Sequence, residues 1–91
     1  MLVDLGTRGR SDYLAIVDYI SDYSVSSANE FIRAFEAALD DLRNFPKMGM
    51  AEDNSELTRI LRFGAYYRLE YALEPDRVFI LRVKDGRRQA D

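Results

Sequence analysis

The sequence predicts an α+β fold of two layers: an N-terminal strand, an α-helical hairpin, then a three-stranded antiparallel sheet. Three observations lead there. Two stretches in the first half repeat apolar residues at helical spacing, with a short break between them. A proline closes the second stretch. After a polar segment the apolar period drops to two and stays there to the end of the chain.

Each element has its own signal. Met1 to Gly6, with Leu2-Val3 and Leu5, reads as a brief strand, and Thr7 as the N-cap of the first helix. From Arg8 to Asp22, Tyr13, Leu14, Ile16, Val17 and Ile20 make one apolar helix face, with Asp12, Asp18 and Asp22 largely on the other side. Tyr23-Ser24-Val25-Ser26 breaks the pattern. Ser27 to Glu30 has capping-box spacing, and Ser24 is an earlier start. Ala28, Phe31, Ile32, Phe35, Ala38, Leu39 and Leu42 then hold the period to Phe45, and Pro46 ends it. Two amphipathic helices with so short a turn form an antiparallel hairpin. Residues 47–56 read as a polar loop turning at Gly49, with Met48 and Met50 capping the core edge.

Leu57 to Phe63 reads as a strand, Gly64 as a turn or bulge, and Ala65 to Leu73 as a second strand. Glu74-Pro75-Asp76 is a turn, and Arg77 to Lys84 is the last strand. Strict alternation puts Tyr67, Leu69, Tyr71, Leu73, Phe79, Leu81 and Val83 under the helices. Tyr66, Arg68, Glu70, Ile80, Arg82 and Lys84 fall on the opposite, open face.

Composition bounds the function. Ninety-one residues make one small domain, 1–91, with a modest core and little room for an internal cofactor cavity. The chain has no Cys and no His. Disulfides, thiolate metal sites, His-rich zinc sites and serine-protease-like triads are therefore excluded, and neither cofactor nor metal is expected. No apolar run reaches the length of a membrane span, and no signal peptide opens the chain, so a soluble cytoplasmic protein is the expectation. Charge is uneven: residues 1–57 hold 11 acidic and 5 basic residues, a net of −6, and residues 58–91 hold 5 acidic and 8 basic, a net of +3. Overall acidity argues against a general nucleic-acid binder, while the C-terminal third carries a local basic patch.

The candidate site is that patch: Arg59, Arg62, Arg68, Arg82, Lys84, Arg87 and Arg88, with Tyr66 and Tyr67 interleaved. Arg beside an aromatic suits a phosphate backbone with a stacked base, and equally a protein hot spot. The same residues also fit a solvated strand face paired with Glu70 or Asp85. Spacing leaves all three open. The helix carboxylates (Asp12, Asp18, Asp22, Glu36, Asp40, Asp41) read as solvated faces rather than metal or acid–base pairs. Tyr13, Tyr19 and Tyr23 read as core or rim packing.

Residues 12–20 (DYLAIVDYI), 31–49 (FIRAFEAALDDLRNFPKMG), 61–68 (LRFGAYYR) and 77–88 (RVFILRVKDGRR), in this order and spacing, resemble the RelE/ParE family of bacterial toxins. The resemblance spans nearly the whole chain. It implies a growth-arresting toxin of a type II toxin–antitoxin system, neutralised by a cognate antitoxin, with the N-terminal strand beside the last one. RelE-like members cut mRNA in the ribosomal A site, and ParE-like members poison DNA gyrase by binding it. Arg68 matches the Arg after Tyr in the middle strand of the nuclease pattern, and Arg87 or Arg88 a basic position near its end. Departures weigh on the other side: the preceding strand has Arg59 and Arg62 but no Lys pair, Ile60 stands where a basic residue would help, and neither a His nor a Tyr after Tyr71 is present to move a proton. The hairpin and the ILRV…GRR ending look more ParE-like. The expectation is therefore a gyrase-binding toxin with no catalytic residues, contacting its target through Arg59, Arg62, Tyr66, Arg68, Arg82, Lys84, Arg87 and Arg88. The alternatives are a ribosome-dependent endoribonuclease and a family member that only binds.

Overall fold

A computed structural model describes residues 1–52 and 55–87, with the side chains of residues 55 and 56 left aside. The elements are β1 (Leu2–Leu5), α1 (Thr7–Ser21), α2 (Val25–Asn44), β2 (Met50–Glu52), β3 (Ser55–Phe63), β4 (Tyr67–Leu73) and β5 (Arg77–Asp85). The α+β class and the helical hairpin are as expected. Among the described residues the sheet has five strands, in the order β1-β5-β4-β3-β2: the expected three, the N-terminal strand beside the last of them, and one more. β1 lies parallel to β5, and the other pairings are antiparallel. Part of the expected loop at 47–56 is the short edge strand β2, which pairs Met50 with Ile60 and Ala51 with Arg59. Three residues of mixed polarity carry too little periodicity to announce a strand.

Thr7 is the first helical residue rather than the cap. Gly6 occupies that position, its N–H donating to the Ile80 carbonyl at 2.9 Å, and a Cβ there would lie 2.8 Å from the Phe79 ring. A capping side chain therefore has no room. Gly9, one turn on, is buried against the same Ile80 carbonyl, where a Cβ would come within 2.8 Å. The start of α1 thus rests directly on β5. At α2, Ser24 is the N-cap, its hydroxyl accepting from the Ser27 N–H at 3.1 Å. Gly64 turns β3 into β4 with φ of 58°, a left-handed conformation that favours glycine.

The core lies between the hairpin and one sheet face. Ile16 and Ile20 of α1 and Ala28, Phe31, Phe35, Ala38, Leu39 and Leu42 of α2 pack over Phe63, Leu69, Tyr71, Val78, Ile80 and Val83. Tyr13 joins from the rim, its ring 4.4 Å from Phe35. Strict alternation holds along β4 but not along β5. Glu70 pairs with Arg82 while Tyr71 pairs with Ile80, so Leu81 is an extra residue, a β-bulge. Before it, Val78 and Ile80 face the helices, and after it, Val83 and Asp85 do. This corrects three assignments. Ile80, expected on the open face, is 0% exposed. Phe79, expected in the core, lies on the open face under the Arg77 guanidinium at 4.4 Å. Leu81 is the half-buried bulge residue. Met48 and Met50, expected to cap the core edge, are exposed.

Candidate functional site

The eight expected contact residues fall into four groups. Arg62, Arg68 and Lys84 form a row. The register sets Arg62 opposite Arg68 and Arg68 opposite Lys84, so three cations from β3, β4 and β5 stand side by side on the open face. The next row runs Met50, Ile60, Glu70 and Arg82. Glu70 reaches diagonally into the basic row: its Oε2 lies 3.2 Å from Lys84 Nζ and 3.8 Å from Arg68 Nε. Arg62 is exposed and forms no ion pair among the described residues.

Arg59 and Arg82, also expected in the target surface, stand outside the row and are engaged in ties within the fold. Arg59 sits on the helix-covered side, opposite Tyr71, and its guanidinium donates to the carbonyls of Gly49 at 2.8 Å and Lys47 at 3.2 Å. The Tyr71 phenol completes that anchor. Its O–H donates to the Pro46 carbonyl at 2.8 Å and its oxygen accepts the Gly49 N–H at 3.0 Å. Burial raises the Tyr71 pKa, against the Gly49 N–H and the Arg59 charge, so the phenol keeps its proton and remains a donor.

Arg82 reaches around the sheet edge to Asp12 of α1, with Nε 2.7 Å from Oδ2. The same carboxylate oxygen accepts the Val83 N–H at 3.0 Å. β1 stops opposite Ile80, and Asp12 takes over its role along β5. Asp12 is thus not on a solvated face, as the helix pattern suggested. Burial alone would raise its pKa, but Arg82, the Val83 N–H and the Arg8 charge prevail and hold it below the usual carboxylate range.

Tyr66 and Arg87 stand apart from the row, at a groove between the α1–α2 turn and the β3–β4 turn. The groove encloses about 760 Å³ and is lined by Tyr19, Tyr23, Phe31, Tyr66, Tyr67 and Arg87 among others. The Arg87 guanidinium lies 4.1 Å from the Tyr66 ring centre. Buried Asp85 fixes it there, accepting from Arg87 Nη2 at 2.9 Å, from Nε at 3.1 Å and from its backbone N–H at 2.9 Å. Tyr67 is half-buried, its ring 4.6 Å from Phe31, and burial raises its pKa. Arg88 lies outside the described residues.

Sequence reasoning missed Asp12 and the groove aromatics Tyr19 and Tyr23. Asp12 and Arg82 are 70 positions apart, and only the fold joins them. Tyr19 and Tyr23 carried a signal, an i,i+4 aromatic pair at a helix end, and their rings do meet edge-on at 5.2 Å. Among the described residues, no group of His, Cys, Asp or Glu is placed to hold a metal ion, and no helix is long and apolar enough to cross a membrane.

The family model for the ParE toxin of the parDE type II toxin–antitoxin system matches residues 5–90. The chain belongs to the ParE toxin family. A search of curated proteins returns no significant match. Among solved structures, the chain is similar to one from the chromosomal ParDE system of P. aeruginosa, with a TM-score of 0.75 at 16% identity over 93% of this chain and 95% of that one. It is also similar to a conserved hypothetical protein of Helicobacter pylori solved in solution, with a TM-score of 0.60 at 16% identity over 99% of both chains. At such identities these two likenesses speak for the fold alone. The protein is thus a ParE-family toxin of a type II toxin–antitoxin system.

Proposed function

We propose that this ParE-family chain arrests growth by binding DNA gyrase, and that a cognate antitoxin neutralises it. The observation that carries the gyrase reading is the basic row of Arg62, Arg68 and Lys84, beside which the described residues offer no His and no carboxylate outside an ion pair. A ribose hydroxyl attacking a phosphodiester needs charge stabilisation and also a base and an acid. The row supplies the first. The carboxylate beside it, Glu70, is engaged in ion pairs, the Tyr71 phenol is buried on the other face, and the chain has no His. Such a surface binds rather than cuts. The target surface then comprises Arg62, Arg68 and Lys84, with Tyr66 and Arg87 at the neighbouring groove. Purified protein is expected to inhibit gyrase supercoiling, or trap cleaved plasmid, and to leave mRNA uncut in a translating extract. Site-specific mRNA cleavage with intact gyrase activity would overturn the reading in favour of an endoribonuclease.

The antitoxin reading rests on the groove and the sheet edge. An amphipathic helix suits the groove, whose walls are tyrosine and phenylalanine with one guanidinium. An extended segment suits the edge of β3 beyond Ile60, where β2 no longer covers it. At the other side of the sheet, Asp12 occupies the Val83 N–H of β5 beyond the end of β1. Mass action requires a saturating antitoxin peptide to raise the melting temperature, and an unchanged melting temperature would count against this partner.

A further inference from the structure

Two charged residues line the aromatic groove, and they come from opposite layers: Glu30 from α2 and Arg87 from just beyond β5. No ion pair joins them among the described residues. Arg87 is fixed before any partner arrives. Asp85, whose side chain is 4% exposed, accepts from its Nε and Nη2, and the Tyr66 ring lies against the guanidinium. Burying a carboxylate is costly, and here it holds one guanidinium in place. The Arg87 Nη1 meets no acceptor among the described residues, and 48% of that side chain stays exposed. Glu30 is exposed and has neither an ion pair nor a hydrogen bond from its side chain among the described residues.

We propose that the groove is a polarised helix seat. It takes an amphipathic helix of the antitoxin that carries a carboxylate on the flank meeting Arg87 and a Lys or Arg on the flank meeting Glu30. Helical rows line the groove: Ser27, Phe31 and Ala34 follow one another along α2 at spacings of four and three, and Tyr19 and Tyr23 stand four apart. Such rows suit the ridges of a further helix. An occupant that covered Arg87 and Glu30 with apolar side chains would strand both groups, so it must bring an acceptor to one and a donor to the other. The two signs also set the direction of the helix. Turned end for end with its apolar stripe still down, the same helix would put its carboxylate against Glu30. A stacked nucleic-acid strand fits less well, because Glu30 lines the same groove and repels phosphate. The inference rests on the antitoxin reading for its occupant, while the two charges belong to the groove itself.

The test uses the full-length chain and three synthetic helical peptides of one length, alike in a leucine stripe at helical spacing. One carries Glu on one flank and Lys on the other, one carries Glu on both, and one carries Lys on both. The mixed peptide is expected to bind about 10-fold more tightly than either of the others, with a preference that shrinks as salt rises. Glu30→Lys, at an exposed position outside the core, should move the preference to the all-Glu peptide. Arg87→Gln combined with Asp85→Asn, which avoids a stranded buried carboxylate, should erase the difference between the mixed and all-Lys peptides. Equal binding of all three peptides by the parent, or an unchanged order in Glu30→Lys, overturns the seat. The cognate antitoxin is then titrated against the parent, Glu30→Lys and Ser27→Trp, which fills the groove. Losses of about 10-fold in both variants support the antitoxin helix as occupant. An antitoxin that binds all three alike overturns it as occupant and leaves the antitoxin reading standing. An antitoxin that binds none of them, with the peptide order intact, removes that reading and supports the seat alone.

Discussion

β4 carries two different environments on one strand. On its covered face, Leu69 and Tyr71 are fully buried, and the Tyr71 phenol has a donor and an acceptor assigned to it. On its open face, Arg68 and Glu70 sit among charges that only partly cancel, with a cation on either side of Arg68. On β4 the covered face follows the rule for interiors, with Leu69 packed and the Tyr71 phenol matched. The open face instead sets three cations side by side, with Glu70 reaching two of them. The contrast separates the residues that hold the protein together from those free to meet a partner.

The largest expected effect lies on the covered face. Tyr71→Ala removes a fully buried ring and strands the Gly49 N–H, and is expected to cost about 3–5 kcal/mol or more. That is a large share of a small domain's stability. Tyr71→Phe keeps the ring and removes only the phenol, so about 1–3 kcal/mol is expected. Chemical denaturation of both variants checks the ratio. Equal losses would mean that the hydrogen bonds to the 46–49 segment dominate and the packing argument is wrong.

A second experiment asks whether the two faces exchange at the bulge. Ile80→Ala should cost about 2–5 kcal/mol, and Phe79→Ala about 1–2 kcal/mol despite its larger side chain. The order follows from burial, because Ile80 is fully enclosed and Phe79 half-exposed under Arg77. The reverse order in urea unfolding would restore strict alternation on β5. This is also where the sequence stopped being readable. In Arg77–Asp85 both phases are apolar, Val78 and Ile80 in one and Phe79 and Leu81 in the other, so the pattern holds no mark of the extra residue. β4 was legible because its phases differ: Leu69 and Tyr71 on one, Arg68 and Glu70 on the other. The hairpin was legible because its helices are long and periodic. Of the expected contact residues, the open-face row was legible from alternation on β4 and, by the bulge's good fortune, for Lys84. Arg59 and Arg82 were not, because their partners, the 47–49 carbonyls and Asp12, are set by tertiary contacts rather than by spacing.

Asp12 joins the two layers, and its effect should depend on pH. Its carboxyl is held below the ordinary value of 3.8 in the folded protein. A lowered folded pKa contributes stability above the unfolded value, and that contribution is lost as pH falls through the folded one. Asp12→Asn keeps an acceptor for the Val83 N–H and removes the charge. It is expected to cost about 1 kcal/mol at neutral pH, modest because the pair is partly exposed, and nothing once the pH lies below the folded value. Melting temperatures of parent and variant should therefore converge as the solution is acidified below 3.8. A constant gap would show that Asp12 acts through shape rather than charge.

The smallest effect on stability belongs to the open face. Tyr67 and Arg68 are neighbours on β4, and the pleat sends their side chains to opposite faces. Tyr67→Ala gives up a half-buried ring in contact with Phe31 and Phe63, so it should cost less than Tyr71→Ala yet remain easy to measure. Arg68→Ala should change stability by no more than about 0.5–1 kcal/mol in either direction, since it loses a long contact to Glu70 but also relieves repulsion from Arg62 and Lys84. Growth arrest on induction provides the second readout. If the row meets the target, Arg68→Ala should weaken toxicity while the protein melts where the parent does. For a toxin that works by binding, the loss should appear as weaker association with the target, recovered at higher toxin concentration. For an enzyme, it should appear as a slower chemical step with binding largely kept, which added protein at saturation does not restore. An Arg68→Ala protein that unfolds while Tyr67→Ala does not would reverse the two faces and remove the row from the surface altogether.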